Sequence, residues 1–226
     1  MAVVYLGTQF LGIVLVGVLD ALRHPGLDMA EWGRRAGEDG FVLSMSVCLS
    51  AIVTIPVVYF LIQTAEPWPW SFLGFRRVPL RSVLLSCGAV LAYVAIADSF
   101  SIVIGRSPVA PFMLSIHETA RSVALLAFVL VILVPFFEEI LFRGFLFGGL
   151  RASGAPAWAA ALVVSVIFGA LHTQYDAYDT TGVFLTGVLL VAARMKFDSI
   201  VPSIAMHGVA NAIGLIEVIW IRAHSG

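Results

Sequence analysis

Two adjacent carboxylates and a guanidinium interrupt a long apolar stretch in the second half of the chain, at Glu138, Glu139 and Arg143. In a helix Glu139 and Arg143 lie four residues apart on one face, whereas Glu138 is turned by about 100° from its neighbour. This spacing predicts a Glu139–Arg143 ion pair and a Glu138 side chain without a counter-ion. Such a carboxylate can take a proton from water and return it; the alternative is an ion-pair network that only fixes helix packing. Pro135 is predicted to disrupt the backbone ladder beside these groups.

Two histidines and an asparagine stand in further apolar segments, at His172, His207 and Asn211. In a helix His207 and Asn211 share one face because they are four residues apart. A lone histidine in a helical bundle is ordinarily a hydrogen-bonded packing residue. Two histidines, an amide and a free carboxylate on three separate helices favour a built site. Gly169 and Gly208, each beside a polar site, would let neighbouring helices approach closely.

The chemistry that this set of groups can perform is hydrolysis. Glu138 would remove a proton from water and His172 would position or activate that water. His207 and Asn211 could donate hydrogen bonds to the oxyanion of a tetrahedral intermediate. The rival arrangement is a zinc ion held by Glu138, His172 and His207, but the HExxH spacing that would favour a metal is missing. No serine lies in a GxSxG-like elbow, so a serine nucleophile has no support.

The composition places these groups in a membrane. Hydrophobic residues make up 60% of the chain, charged residues only 12%, and the mean hydropathy is +1.00, which excludes an ordinary soluble domain. The formal net charge of -1 shows no excess of basic residues that would bind a nucleic acid. The partner that the composition indicates is the lipid bilayer. Cys48 and Cys87 lie in apolar stretches and are interpreted as compact apolar side chains.

Apolar runs of roughly 20 residues are needed to cross a bilayer as helix, and the chain offers several. We predict an all-α, polytopic transmembrane bundle of about seven helices, with six to eight possible. The predicted spans are 3–22, 41–64, 82–104, 122–150, 157–175, 181–194 and 200–221. The first is predicted to be a retained span, and the balance of Lys and Arg between connectors does not orient the protein.

The predicted organisation is one integrated membrane domain in two parts. Residues 1–121 supply N-terminal helices and connectors, and residues 122–221 form the catalytic core. At 1.5 Å per residue, His207 lies about 10 Å into its span and His172 about 22 Å into a helix starting from the same side. The two meet only if the helix that carries His172 is tilted or begins outside the hydrocarbon core.

For several other polar residues the sequence indicates a function only weakly. The stretch 173–179 could support His172 through hydrogen bonds or could be an interfacial loop with tyrosines at headgroup level. Asp98 and Glu217 are isolated acids in apolar segments, expected near a helix end or hydrogen-bonded within the bundle rather than catalytic.

The motifs resemble those of the CPBP family of intramembrane proteases, the CAAX protease and bacteriocin-processing group. The family pattern is EExxxR, FxxxH and HxxxN or HxxxD on successive transmembrane helices. Every motif residue is present here in that order, as Glu138, Glu139, Arg143, Phe168, His172, His207 and Asn211. Each motif alone is weak, but the three together in apolar segments are highly specific.

The resemblance implies an all-helical transmembrane fold and peptide-bond hydrolysis within the bilayer. Carried over residue by residue, it implies that Glu138 and His172 activate water and that His207 and Asn211 form the oxyanion site. Phe168 and the Glu139–Arg143 ion pair would support these four residues. No cofactor is favoured, with zinc as the alternative. The expected substrate is a membrane-anchored protein or hydrophobic peptide, and the expected location is a bacterial inner or cell membrane, as a multi-pass protein. The alternative functions are an ion- or proton-coupled transporter and a noncatalytic peptide-binding immunity protein.

Overall fold

The computed structural model describes residues 2–224, with side chains described for residues 7–224, and within that range the chain folds into ten helices and no β-strand. The helices are α1 Ala2–Arg23, α2 Met29–Ala36, α3 Gly40–Gln63, α4 Pro69–Phe72, α5 Leu80–Val103, α6 Pro111–Glu118, α7 Val123–Ala152, α8 Ala157–Ala170, α9 Ala177–Phe197 and α10 Val201–His224. The predicted all-α fold is confirmed.

Helices long and apolar enough to cross a membrane are α3, α5, α7, α9 and α10, five among the described residues. α1 occupies the predicted first span, and α8 is apolar but only 14 residues long. The predicted fifth span is wrong at its end, because α8 stops at Ala170 rather than at residue 175. The polar residues that follow form a connector, and Asp176 caps α9 by accepting a hydrogen bond from the Asp179 N–H. α9 is correspondingly longer than the predicted span at 181–194.

α7 lies at the centre of the bundle and packs against α3, α8, α9 and α10. Its buried face contributes Phe137, Ile140 and Phe142 to the largest apolar core, which Phe168 of α8 and Val191 of α9 complete. Because several helices share this core, the groups along α7 are fixed from several sides. This packing supports the polar residues at the middle of α7.

The backbone of α7 departs from the α-helical pattern on both sides of Pro135. Segments Val129–Leu133 and Ile140–Leu146 are π-helical, and the Val134 N–H donates to the carbonyl of Val129, five residues back. π-helical turns concentrate at functional sites because they redirect side chains and free backbone groups. The predicted disruption beside the carboxylates is therefore present, and it takes this form.

A second acidic pair joins α5 to α10. The carboxyl groups of Asp98 and Glu217, both half-buried, hydrogen-bond to each other across the packed helices. A hydrogen bond between two carboxyl groups needs one proton between them, since two carboxylates have only acceptors. The two acids are thus hydrogen-bonded within the bundle, as the sequence indicated, and lie outside the cavity that holds the motif residues.

Candidate active site

A cavity of about 570 Å³ holds all four residues predicted to be catalytic. Glu138 enters it from α7, His207 and Asn211 from α10, and His172 from the connector after α8. The wall is completed from the N-terminal half of the chain by residues of α1, α3 and α6 and by the end of α2. The cavity therefore draws on both predicted parts of the chain, 1–121 and 122–221.

Behind the cavity, Glu139 and Arg143 form the predicted ion pair, with Arg143 Nη1 2.8 Å from Glu139 Oε1 and both side chains 0% exposed. Arg143 Nη2 donates to the Gly187 carbonyl of α9 at 3.0 Å. The guanidinium lies 4.4 Å from the centre of the Phe168 ring, a cation–π contact. Phe168 thus supports the pair directly, and the arginine ties α7 to α8 and α9.

Glu138 lies on the cavity side of α7 without a guanidinium partner. Its residue is 6% exposed and its Oε2 atom accepts no hydrogen bond among the described residues. The nearest cationic candidate is His207 Nε2, at 3.9 Å from Oε2, which is too long for a hydrogen bond. The carboxylate is therefore available to a group that enters the cavity.

His207 makes a contact that the sequence did not indicate. Its Nδ1 atom lies 3.1 Å from Glu139 Oε1, the same oxygen that accepts the hydrogen bond from Arg143. A carboxylate can only accept, so Nδ1 carries the hydrogen and a neutral His207 presents a lone pair at Nε2. The predicted role of His207 as an oxyanion donor then requires the protonated imidazole.

Asn211 fills a gap in the backbone of α7. In the π-helical pattern the N–H of residue 135 would donate to the Leu130 carbonyl, but Pro135 has no N–H. Asn211 Nδ2 donates to that carbonyl at 2.8 Å. The amide of α10 therefore has one N–H engaged in joining the helices and a second hydrogen left over for the cavity.

His172 lies two residues beyond the end of α8 and folds back over it. Its Nδ1 atom is 2.7 Å from the carbonyl of Phe168, which fixes the hydrogen on Nδ1 and leaves Nε2 free. Its ring packs on the Phe168 ring at 4.8 Å and parallel to Tyr175 at 6.0 Å. The short helix and this backward orientation let His172 share a cavity with His207.

The connector 171–176 is anchored at its far end. Arg106 Nη2 lies 2.5 Å from Asp176 Oδ2. The backbone N–H of Asp179 and the Arg106 guanidinium together hold the pKa of Asp176 below its usual range. The ion pair is solvent-exposed, so we assign it a positional role rather than a large contribution to stability.

The zinc alternative is not supported by the spacing of the donors. Among the described residues, no three His, Cys, Asp or Glu side chains lie close enough together to hold a metal ion. Glu138, His172 and His207 face one cavity, and both histidines have Nε2 free, but they do not form a three-ligand shell.

Residues that the sequence did not single out also line the cavity. They include Gln9 of α1, Arg34 of α2, Phe112 of α6 and Tyr175 of the connector. For Tyr175 the polar aromatic stretch 173–179 was a signal, and its contact with His172 proves to be ring stacking rather than a hydrogen bond between side chains. For the residues of α1, α2 and α6 no local spacing could have indicated the site.

Comparison with known proteins relates this chain to a family of membrane proteases. Residues 120–213, which include every motif residue, match the family described as type II CAAX prenyl endopeptidase Rce1-like. The chain is 31% identical over 169 residues to an Escherichia coli protein named "Uncharacterized 24.3 kDa protein", covering 73% of this chain and 70% of the relative. It is 21% identical over 233 residues to the membrane-embedded CAAX protease MroQ of Staphylococcus aureus, covering 95% and 85%. No solved structure matches the chain.

Proposed function

Because this chain belongs to the CPBP family of membrane proteases and is a multi-pass integral membrane protein, we propose that it is an endopeptidase acting on membrane-anchored proteins or hydrophobic peptides. The observation that carries the proposal is the unpartnered Glu138 carboxylate, buried in a cavity that it shares with His172, His207 and Asn211. A free base among hydrogen-bonding groups, within a membrane bundle, suits the activation of water.

In the first step Glu138 accepts a proton from a water molecule in the cavity. His172 offers Nε2 as a second acceptor, since its Nδ1 hydrogen is held by the Phe168 carbonyl. The water oxygen then bonds to the carbonyl carbon of the scissile peptide. The proton held by Glu138 passes to the departing amine as the C–N bond breaks, which yields a new carboxyl terminus and a new amino terminus.

The tetrahedral intermediate carries a negative oxygen that needs hydrogen-bond donors. Asn211 can supply its second Nδ2 hydrogen, because the first is engaged with Leu130. Protonated His207 can supply Nε2–H, with Glu139 holding its Nδ1–H. Removing one such donor from an oxyanion site typically costs about 10²–10³-fold in kcat.

The Glu139–Arg143 ion pair behind the cavity contributes to the charge balance of the site. With His207 protonated, the carboxylates of Glu138 and Glu139 are matched by Arg143 and the imidazolium. Glu139 and Arg143 are thus positioning residues, which orient His207 and the middle of α7 without contacting the substrate.

The test is a comparison of protein termini by mass spectrometry in cells that produce the wild type or Glu138→Gln. The substitution keeps the size of the side chain and removes the base, so a set of new termini should disappear. Glu66→Gln, which alters an exposed carboxylate of a connector, is the matched control and should leave them unchanged. Equal termini in wild-type and Glu138→Gln cells would refute the proposal. Ion flux in liposomes that depends on Glu138, without cleavage, would favour the transporter instead.

A further inference from the structure

Tyr175 brings a third aromatic ring to the cavity from the connector between α8 and α9. Its ring lies parallel to the His172 imidazole, with a 6° interplanar angle and 6.0 Å between centres. Phe112 of α6 packs against it edge-on at 5.6 Å. The Tyr175 N–H also donates to the carbonyl of His172 at 3.2 Å. These contacts on two sides hold the phenol ring in one place beside the proposed base and water site.

The hydroxyl of Tyr175 makes no hydrogen bond within the described part of the chain. Two other tyrosines packed between helices use theirs: Tyr93 donates to the Gly182 carbonyl at 2.8 Å, and Tyr178 pairs with Ser101 at 2.8 Å. A tyrosine packed among other rings usually has a partner for its O–H. The hydroxyl of the half-buried Tyr175, a residue that lines the cavity, is therefore free to bond a molecule that enters it.

This hydroxyl keeps its hydrogen at neutral pH. Burial, with the negative charges of Asp179 and Glu138, raises the pKa of Tyr175 above its usual range. The phenol is consequently a hydrogen-bond donor at any pH where the enzyme would work.

Donors are scarce among the four residues predicted to be catalytic. Glu138 is an acceptor, and so is Nε2 of His172, whereas Nε2 of His207 donates only when the imidazole is protonated. Asn211 has one hydrogen to spare. A tetrahedral oxyanion needs donors fixed in place before it forms, and the phenol meets that requirement.

We propose that Tyr175 is a further catalytic residue of this site, whose hydroxyl donates a hydrogen bond to the oxyanion alongside Asn211. The proposal rests on the peptidase function proposed above. No bond to Tyr175 forms or breaks, and its proton stays on the phenol oxygen throughout. The stacking on His172 is a separate, positioning contribution of the same ring.

The test uses four variants of the full-length protein in detergent micelles, with an internally quenched peptide library as the substrate. Tyr175→Phe keeps the stacked ring and removes only the hydroxyl, so kcat should fall about 10²-fold with KM nearly unchanged. Tyr175→Leu also removes the ring that stacks on His172, and its kcat should fall by at least as much. Tyr178→Phe removes a hydroxyl bonded to Ser101 outside the cavity and should retain the wild-type kcat. Glu138→Gln should be inactive.

Each outcome separates the two proposals. An active Glu138→Gln enzyme would refute the peptidase mechanism, whatever the tyrosine variants do. An inactive Glu138→Gln enzyme with a fully active Tyr175→Phe enzyme would overturn only the role of the hydroxyl. A Tyr175→Phe loss confined to KM would also overturn it, because that loss means ground-state binding. Because the hydroxyl makes no internal hydrogen bond, Tyr175→Phe should unfold at the same temperature as the wild type, and a lowered temperature with reduced kcat would count against the proposal.

Discussion

Replacing Asn211 by Leu should weaken the fold by an amount that depends on residue 135. Asn211 satisfies the Leu130 carbonyl only because Pro135 cannot. In the Pro135→Ala background a backbone N–H becomes available to that carbonyl, from residue 135 in the π pattern or from Val134 in the α pattern. The Asn211→Leu substitution should then cost little.

The expected loss of folding free energy depends on where the hydrogen bond between Asn211 and the Leu130 carbonyl lies. An unsatisfied buried acceptor costs about 1–3 kcal/mol in general. Interhelical hydrogen bonds in membrane bundles average only about 0.6 kcal/mol, reaching about 1.7. Leu130 is 8% exposed and Asn211 is half-buried. We therefore expect a loss of about 1 kcal/mol in the wild-type background, a factor of about 5 in the folding equilibrium.

The assay is reversible unfolding in mixed micelles, with the free energy extrapolated to zero denaturing detergent for the four members of the double-mutant cycle. The coupling energy should be about 1 kcal/mol, above the scatter of about 0.3–0.5 kcal/mol seen for independent sites. Thr181→Ala, which removes an exposed local hydrogen bond to Ala177, is the control and should cost the same in both backgrounds. If Asn211→Leu costs as much in the Pro135→Ala background as in the wild type, Asn211 does not compensate for the proline and the reasoning fails.

Two further predictions concern the support of the site and its cofactor. Arg143→Met should lower the free energy of unfolding by about 3–5 kcal/mol, because it leaves the Glu139 carboxylate buried and uncompensated. The double variant Arg143→Met with Glu139→Gln should recover part of that loss. Denaturant titration measures the free energy of unfolding of each variant. Treating the purified protein with a chelator, followed by metal analysis, should leave peptide cleavage unchanged; activity lost with zinc and regained on its return would instead make Glu138, His172 and His207 the metal ligands.

Much of the local structure around the site could be predicted from spacing alone. Glu139 and Arg143 pair because four residues bring two side chains together on any helix, whatever surrounds it. The same spacing places His207 and Asn211 on the α10 face that meets α7, where they reach Glu139 and Leu130. The departure of α7 from regular helix beside Pro135 was likewise local, since a missing N–H acts on the preceding turn.

Contacts between helices could not be predicted in this way. Apolar side chains that face lipid and those that face the bundle have similar hydrophobicity, so the pattern in a membrane helix does not reveal which face meets which neighbour. The sequence consequently did not indicate that His207 would bond Glu139, that Asn211 would satisfy Leu130, or that Tyr175 would stack on His172.

By itself, then, the sequence determined that the chain is an all-helical membrane protein and which polar groups it must bury. Those properties depend on composition and on spacing within one helix. The tertiary structure alone decided that α8 ends early, that His172 turns back beside Phe168, and that α1 and α6 help to enclose the cavity. These features depend on contacts between residues that are far apart in the chain. Helix packing makes those contacts, and no local sequence pattern predicts them.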